Sequence, residues 1–254
     1  VFAYANSNIE ELLALGLGDK IVAAYGLDGD VREDLKDEFD KIQYMDTKPS
    51  KEEVVAMEPD FIAAWYSSFS DDWLSDVSFW QERDVNTYMS LNSSAKGPAS
   101  EFPRTIEDEY EDILNLGKIF DCEDKAEEIV DQMKGEIDKV KEHVEGTDPL
   151  SVAVLEDEGD SFRVYGTETL GGNIGAELKL GAENSENVGA EDLIAADPDV
   201  LFMINYDGFM TADEAIADIT DNPAYASLSA VKNNKVFSVN LNEVYCSGVR
   251  TYDG

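Results

Sequence analysis

The reactive side chains of this sequence give little support to nucleophilic or metal-dependent catalysis. His143 is the single histidine among 254 residues, and neither a Ser-His-Asp nor a Cys-His system works without a well-placed histidine. A zinc site of ordinary ligand spacing is equally hard to build. Asp157 and Glu158 could perform acid–base work, but such pairs are common among 56 acidic residues. We therefore predict no catalytic residues, no metal ligands and no enzymatic activity.

A glycine-rich segment, "GGNIG" at 171–175, resembles a dinucleotide-binding loop only in part. Its third glycine comes too early for the usual fingerprint, and no Lys-Ser or Lys-Thr of a phosphate-binding loop follows. Glycines at the start of a helix explain the segment better. We expect no resident cofactor.

Bulky aromatic residues directly follow several predicted strands. Ligands of open α/β sheets bind beyond the carboxyl ends of the strands, so this shared position predicts a ligand site, although packing explains each residue taken alone. The candidates are Trp65, Tyr66, Tyr165, Tyr206, Phe209 and Tyr245, joined by Arg250 after the strand-like "KVFSVNL".

Composition excludes some partners. The 19 basic and 56 acidic residues give a net charge of -37, which repels phosphate backbones and anionic lipid headgroups. No apolar run is long enough to span a membrane, and the first residues lack the features of a signal peptide. Cys122 and Cys246 are too few for a metal cluster or a disulfide framework; they are predicted as structural thiols, with a single disulfide as the alternative.

Two passages of the chain repeat one plan. "EEVVAMEPDFIAAW" at 52–65 and "EDLIAADPDVLFMI" at 191–204 align without a gap on their Pro-Asp dipeptides. Each predicts a helix, a break and a short apolar strand that is covered on both faces. Ser50 and Glu53 form a capping-box pattern before the first helix, and Gly189 takes the cap position before the second.

The repeat predicts an α/β fold with two similar Rossmann-like lobes and mostly parallel sheets. Apolar residues at helical spacing predict one long helix over 124–145, roughly 33 Å in length. The expected domains are an N-terminal α/β lobe at 1–120, a bridging helix at 121–146 and a C-terminal α/β lobe at 147–254. The segment 93–103 is predicted as a long surface loop.

With these elements in order, the chain resembles the helical-backbone (class III) substrate-binding proteins of ABC importers for ferric siderophores, haem or vitamin B12. The resemblance extends over nearly all residues. It rests on the ordered set "ANSNIEELLALGLGDKIV", "EEVVAMEPDFI", "DILNLGKIFDCEDKAEEIV" and "NPAYASLSAVKNNKVFSVN". It implies two lobes joined by a helix, with the ligand held between them, and a final helix that would follow Gly254.

The resemblance also implies roles for particular residues. Carboxylates at the start of the helix before each Pro-Asp break dock on the permease in this family, which points to Glu52 and Glu191; complementing the helix dipole is the alternative role. Trp65 matches a tryptophan of the ligand pocket in the vitamin B12-binding member. Arg250 lies near the family's segment of small residues followed by arginine.

A large iron chelate is the expected ligand, because bare-metal binders of the family use several histidine and carboxylate ligands, whereas His143 is the one histidine of this chain. A ferric siderophore would contact aromatic faces and one or two arginines, Arg250 with Arg104 from the long loop. Haem, with an axial tyrosine from Tyr165, Tyr206 or Tyr245, is the second choice. Vitamin B12 is the third.

The implied partners are the metal chelate and an ABC permease with its ATPase, and not nucleic acid. The expected protein is a monomer outside the cytoplasm, either periplasmic or lipid-anchored at the cell surface. Two other classes stay open: a relative of a nitrogenase component without its cluster, and a surface adhesion module, which the acidity would also suit.

Overall fold

The computed structural model describes residues 1–93, 95–97, 101–148, 150–166 and 187–253. The segment 171–175 and part of the predicted loop at 93–103 therefore lie outside the described residues. The chain divides into two compact units. The first contains Val1–Lys96, Glu107–Ile137 and Cys246–Tyr252, and the second contains Gly97–Ile106, Asp138–Tyr245 and Asp253, each as far as it is described.

The first unit is built on a parallel sheet with strand order β3-β2-β1-β4-β5. Its strands are β1 Phe2–Tyr4, β2 Ala23–Tyr25, β3 Tyr44–Met45, β4 Phe61–Ala64 and β5 Asn86–Met89. Its helices are α1 Asn6–Ala14, α2 Lys36–Phe39, α3 Lys51–Ala56, α4 Val77–Gln81 and the greater part of α5 Ile106–Ile119. Every residue of β4 is buried, as its uniformly apolar sequence predicts for a strand covered on both faces.

The second unit has strand order β10-β9-β6-β7-β8. Strands β6 Val152–Asp157, β9 Val200–Asn205 and β10 Val236–Asn240 are parallel, whereas β7 Phe162–Val164 and β8 Asn187–Val188 pair antiparallel. Its described helices are α7 Ala190–Ala196, α8 Ala212–Thr220, α9 Ser229–Lys232 and α10 Leu241–Val244. The prediction of two mostly parallel sheets is confirmed.

The repeated passages form the predicted units, α3 with β4 and α7 with β9. The Ser50 side chain accepts from the Glu53 backbone, and the Glu53 carboxylate accepts from Ser50, so the predicted capping box is present. In the second copy the backbone N–H of Gly189 donates to Asp192. The long helix α6 spans Glu123–Val144, with its first part in one unit and its last turns in the other.

The segment Cys246–Tyr252 packs in the first unit, although the sequence placed it in a C-terminal lobe. A buried ion pair explains the difference: Arg250 donates through Nε and Nη2 to Glu10 on α1, at 2.6 and 2.7 Å. The backbone N–H of Gly248 donates to Glu109 on α5. Gly248 has φ +56, and an added Cβ would lie 2.6 Å from a Glu11 oxygen, so a glycine is required for this close approach.

Two further observations concern the cysteines and the apolar character of the helices. Cys122 and Cys246 form no disulfide bond with each other. Among the described residues, no helix combines the length and the apolar character that crossing a membrane requires.

Candidate ligand-binding site

Aromatic side chains gather at the carboxyl ends of the strands in the first unit. Tyr4 ends β1, Tyr25 ends β2 and Trp65 directly follows β4. The Tyr4 ring stacks on Tyr25 at 6.0 Å between centroids and meets Trp65 edge-on at 5.7 Å and Trp73 at 4.7 Å. We call Tyr4, Tyr25, Trp65 and Trp73 the first ring set.

Hydrogen bonds and one glycine hold the first ring set in position. Trp65 donates through Nε1 to the Ser7 hydroxyl at 3.3 Å, and Trp73 donates to the Pro49 carbonyl at 2.7 Å. Gly26 has φ +88, and a Cβ there would lie 2.4 Å from the Tyr4 ring. The turn after β2 therefore needs a glycine so that Tyr4 can stack on Tyr25.

The sequence pattern predicts only part of the first ring set. It named Trp65 and Tyr66 but not Tyr4, Tyr25 or Trp73. Tyr4 and Tyr25 end the short strands "FAY" and "AAY", so the rule that identified Trp65 could have found them too. Tyr66 itself is 52% exposed, and its backbone N–H donates to Ser93.

A second group of aromatic residues surrounds a buried carboxylate in the second unit. Glu156, near the carboxyl end of β6, is only 8% exposed. It accepts hydrogen bonds from the hydroxyls of Tyr165 at 2.8 Å and Tyr206 at 3.0 Å. The Tyr206 ring stacks on Phe209 at 4.9 Å. Tyr165, Tyr206, Phe209 and Tyr245 form the second ring set.

These residues pack on one face of the second sheet. Tyr165, Tyr206 and Tyr245 share an apolar cluster with Val154 and Ile204. Phe209 lies in the turn after β9 and keeps 39% of its surface exposed, so this set presents a partly open aromatic face.

Tyr165 reaches the second ring set by a route that the sequence did not predict. Its strand β7 runs antiparallel to β6, so the end of β7 lies beside Val154 and not at the carboxyl edge. The phenol side chain nevertheless extends to Glu156. Burial, followed by the charge of Glu156, raises the pKa of Tyr165 above its ordinary value.

Glu156 itself was missed by the sequence analysis, which considered only the neighbouring Asp157 and Glu158 as an acidic pair. In "VAVLED" alternate side chains point to opposite faces of the strand, and Glu156 shares the face of Val154, whose side chain is buried. A carboxylate at an otherwise apolar position was therefore a readable signal of a polar partner.

Both predicted ligand arginines are buried and have partners in the protein. Arg250 pairs with Glu10 and also donates to the Asp30 carbonyl. Arg104 donates to the backbone carbonyls of Gly97 and Phe102. The structure thus gives these guanidinium groups structural partners, and it places Arg250 in the first unit and Arg104 in the second.

The two predicted docking carboxylates occupy equivalent positions. Glu52 is the second residue of α3, and Glu191 is the second residue of α7. Both are exposed, and both lie in a first turn, where a negative charge complements the helix dipole. The repeated sequence therefore produces the same exposed carboxylate in each unit.

Comparison with known proteins identifies the family to which this fold belongs. The family described as "Periplasmic binding protein" matches residues 1–240. The chain belongs to this family. The family is one of binding proteins and not of enzymes, and the predicted relationship to substrate-binding proteins of ABC importers is confirmed.

Individual proteins similar to this periplasmic binding protein include two from Bacillus subtilis (strain 168). YvrC, an uncharacterized ABC transporter substrate-binding lipoprotein, is 24% identical over 98% of this chain and 74% of its own length. YfmC, an Fe(3+)-citrate-binding protein, is 25% identical over 75% of this chain and 56% of its own. The crystal structure of a periplasmic binding protein from Veillonella parvula DSM 2008 is 30% identical, with a TM-score of 0.87 over 99% of this chain and 81% of that one.

Proposed function

We propose that this periplasmic binding protein captures a ferric siderophore-type chelate outside the cytoplasm and delivers it to the permease of an ABC importer. The first ring set carries the proposal, because it places four aromatic side chains together at the edge of a sheet where α/β proteins bind ligands. The similarity to YfmC, an Fe(3+)-citrate-binding protein, supports iron as the cargo.

The proposed role as a substrate-binding protein also has consequences for cofactors, catalysis, oligomeric state and location. The chelate is cargo, so the protein needs no resident cofactor and performs no catalysis. A monomer, either free in the periplasm or lipid-anchored at the cell surface, is the expected form, and the lipoprotein YvrC supports the anchored alternative.

Fluorescence titration with a panel of ferric siderophores tests the proposal. Ferric chelates absorb light in the region of tryptophan emission, so binding beside Trp65 and Trp73 should quench the emission in a saturable way, whereas iron-free siderophores should not. Trp65→Ala should weaken affinity by about tenfold or more, as expected for a central aromatic contact. Emission from Trp73 still reports binding in this variant.

Phe237→Ala is the matched control, because Phe237 is an aromatic residue of β10 that belongs to neither ring set and is 45% exposed. Its affinity should equal that of the parent protein. The proposal fails if no ferric siderophore and no haem binds saturably.

Haem is the second candidate, and the hydrogen bond from Tyr206 to Glu156 favours it. A carboxylate that accepts the proton of a tyrosine strengthens a phenolate as an axial iron ligand. A haem complex would show a Soret band, and Tyr206→Phe should shift or abolish that band. Tyr165→Phe and Tyr245→Phe are the parallel variants. An unchanged band in all three would contradict tyrosine ligation.

A further inference from the structure

The arginines of this protein are engaged by the protein itself. The sequence has five of them, all within the described residues, and each has at least one partner. The partners are Asp34, Val249 and Tyr252 for Arg32; Phe79 for Arg83; Gly97 and Phe102 for Arg104; Glu156 and Glu158 for Arg163; and Glu10 and Asp30 for Arg250.

This arrangement matters because arginine is the side chain best suited to an anionic, oxygen-rich ligand. Its planar fork donates two parallel hydrogen bonds to carboxylate-type oxygens. Recruiting Arg250 for a ligand would leave Glu10, which is fully buried, without its cation, and an uncompensated buried charge is strongly unfavourable.

Lysine adds one cation to the first ring set. Lys48 places its ammonium 4.5 Å from the centre of the Trp73 ring. The other described lysine–ring contacts involve Phe79 and Tyr110, which belong to neither ring set. The ammonium lies on an aromatic face that would otherwise attract a cation from the ligand.

Among the described residues, two carboxylates and one guanidinium lie at the second ring set. Arg163 lies 3.5 Å from Glu156 and 3.6 Å from Glu158, so one guanidinium faces two carboxylates. Glu156 sits directly beneath the hydroxyls of Tyr165 and Tyr206. An anionic ligand on these rings would lose water and meet the Glu156 carboxylate, whose cation partner among the described residues, Arg163, is shared with Glu158.

We infer that the ligand class is a chelate without net negative charge, either neutral or cationic, in preference to an anionic chelate of the triscatecholate or polycarboxylate type. This inference rests on the proposed function. Aromatic faces other than the one that Lys48 covers on Trp73 attract cations, and the net charge of -37 favours the approach of neutral and positive ligands over negative ones.

The test compares three ferric complexes of similar size: a trihydroxamate with a free ammonium group, an uncharged cyclic trihydroxamate and a triscatecholate of charge about -3. Affinities are measured by quenching of tryptophan emission at low and at physiological salt. The neutral and cationic complexes should bind at least about tenfold more tightly than the trianion at both salt concentrations.

Two charge variants separate the effect of the binding site on ligand preference from the effect of the protein's overall charge. Glu156→Gln should reduce the preference for neutral and cationic complexes over the trianion severalfold, because it removes the negative charge that contacts the hydroxyls of Tyr165 and Tyr206. Glu127→Gln removes one exposed charge from α6 and should leave the preference unchanged. Circular dichroism would verify that both variants are folded.

The outcomes distinguish this inference from the proposed function. Tightest binding of the trianion, or equal effects of Glu156→Gln and Glu127→Gln, would overturn the inference while leaving a siderophore receptor in place. Failure of all three ferric complexes and of haem to bind would overturn the proposed function as well.

Discussion

At the scale of single residues, the most unusual environment is the carboxyl-rich interior of the first unit. Glu11 on α1 and Glu109 and Asp112 on α5 are almost fully buried. Burial raises the pKa of Glu109 to about 7, and burial together with neighbouring carboxylates raises the pKa values of Glu11 and Asp112. These groups favour their protonated forms in the folded protein.

Glu109 and Asp112 accept hydrogen bonds from other segments of the first unit. Asn92 and the Gly248 backbone donate to Glu109, and Tyr88 donates to Asp112. The charged groups nearby are the Glu10–Arg250 and Lys96–Asp108 ion pairs. Among the described residues, no salt bridge involves Glu11, Glu109 or Asp112 themselves, so ionisation of all three would be costly.

We predict that the protein becomes less stable as the pH rises from about 4.5 to about 7. Between the ordinary pKa of 4.5 and the folded pKa of about 7 for Glu109, the folded state binds more protons than the unfolded state, so stability falls as pH rises. Glu11 and Asp112 act in the same direction. The effect from Glu109 alone is up to about 3 kcal/mol, and urea unfolding across this pH range would measure it.

Glu109→Gln provides the control for this pH dependence. The amide stays neutral at every pH, so the slope of stability against pH should become shallower, whatever the variant does to absolute stability. An unchanged slope in the variant, or greater stability of the parent protein at neutral than at mildly acidic pH, would contradict the assignment.

At the scale of elements, α3 and α7 are the informative pair. Each carries an exposed glutamate at its second residue and precedes a buried strand in its own unit. Permease docking through Glu52 and Glu191 remains a prediction, since a charge in a first turn also stabilises its own helix.

We predict that the double variant Glu52→Arg and Glu191→Arg loses binding to the permease while its affinity for the chelate is unchanged. Pull-down on permease in membranes and fluorescence titration would measure the two properties. Asp213→Arg is a matched control, because Asp213 is also an exposed second residue behind a capping box, on α8. Normal docking by the double variant, or equal loss in the control, would contradict the prediction.

The elements were more predictable from sequence than the site. A capping box, a Pro-Asp break and an apolar strand are local signals, and they located α3 with β4 and the ends of α6 closely. The Arg250–Glu10 pair joins residues 240 positions apart. No local pattern predicts such a contact, so the sequence did not reveal the Glu10 partner, and a ligand role for Arg250 stays a prediction.

The direction of strand β7 was the second feature that could not be predicted from the sequence. Because Tyr165 follows an apolar strand, the sequence predicts it at the carboxyl edge of a sheet. Whether that strand runs parallel or antiparallel to its neighbour depends on pairing that the segment itself does not encode. The short strand β7 pairs as a hairpin with β6, and only the length of the phenol brings Tyr165 to Glu156.

At the scale of the whole molecule, 56 acidic residues against 19 basic ones dominate the electrostatics. Four of the ion pairs among the described residues are exposed pairs of near neighbours in sequence, and such pairs contribute little to stability. Repulsion between unpaired carboxylates therefore opposes the compact state.

We predict that added sodium chloride raises the thermal midpoint Tm at mildly alkaline pH. Screening shortens the range of repulsion from roughly 30 Å at 0.01 M salt to about 3 Å at 1 M, and this should outweigh the loss of the weak exposed pairs. Circular dichroism during heating would record the shift. A Tm that stays constant or falls with salt would show that favourable pairs dominate.

The late return of Cys246–Tyr252 to the first unit also constrains how the protein is made. Glu10 is synthesised before the second unit, whereas Arg250 is synthesised after nearly all of that unit. Until Arg250 has been synthesised, the buried carboxylate of Glu10 on α1 lacks the cation with which it pairs in the folded protein. The first unit therefore cannot complete its interior until Cys246–Tyr252 is available, so it finishes folding only after most of the second unit has been synthesised.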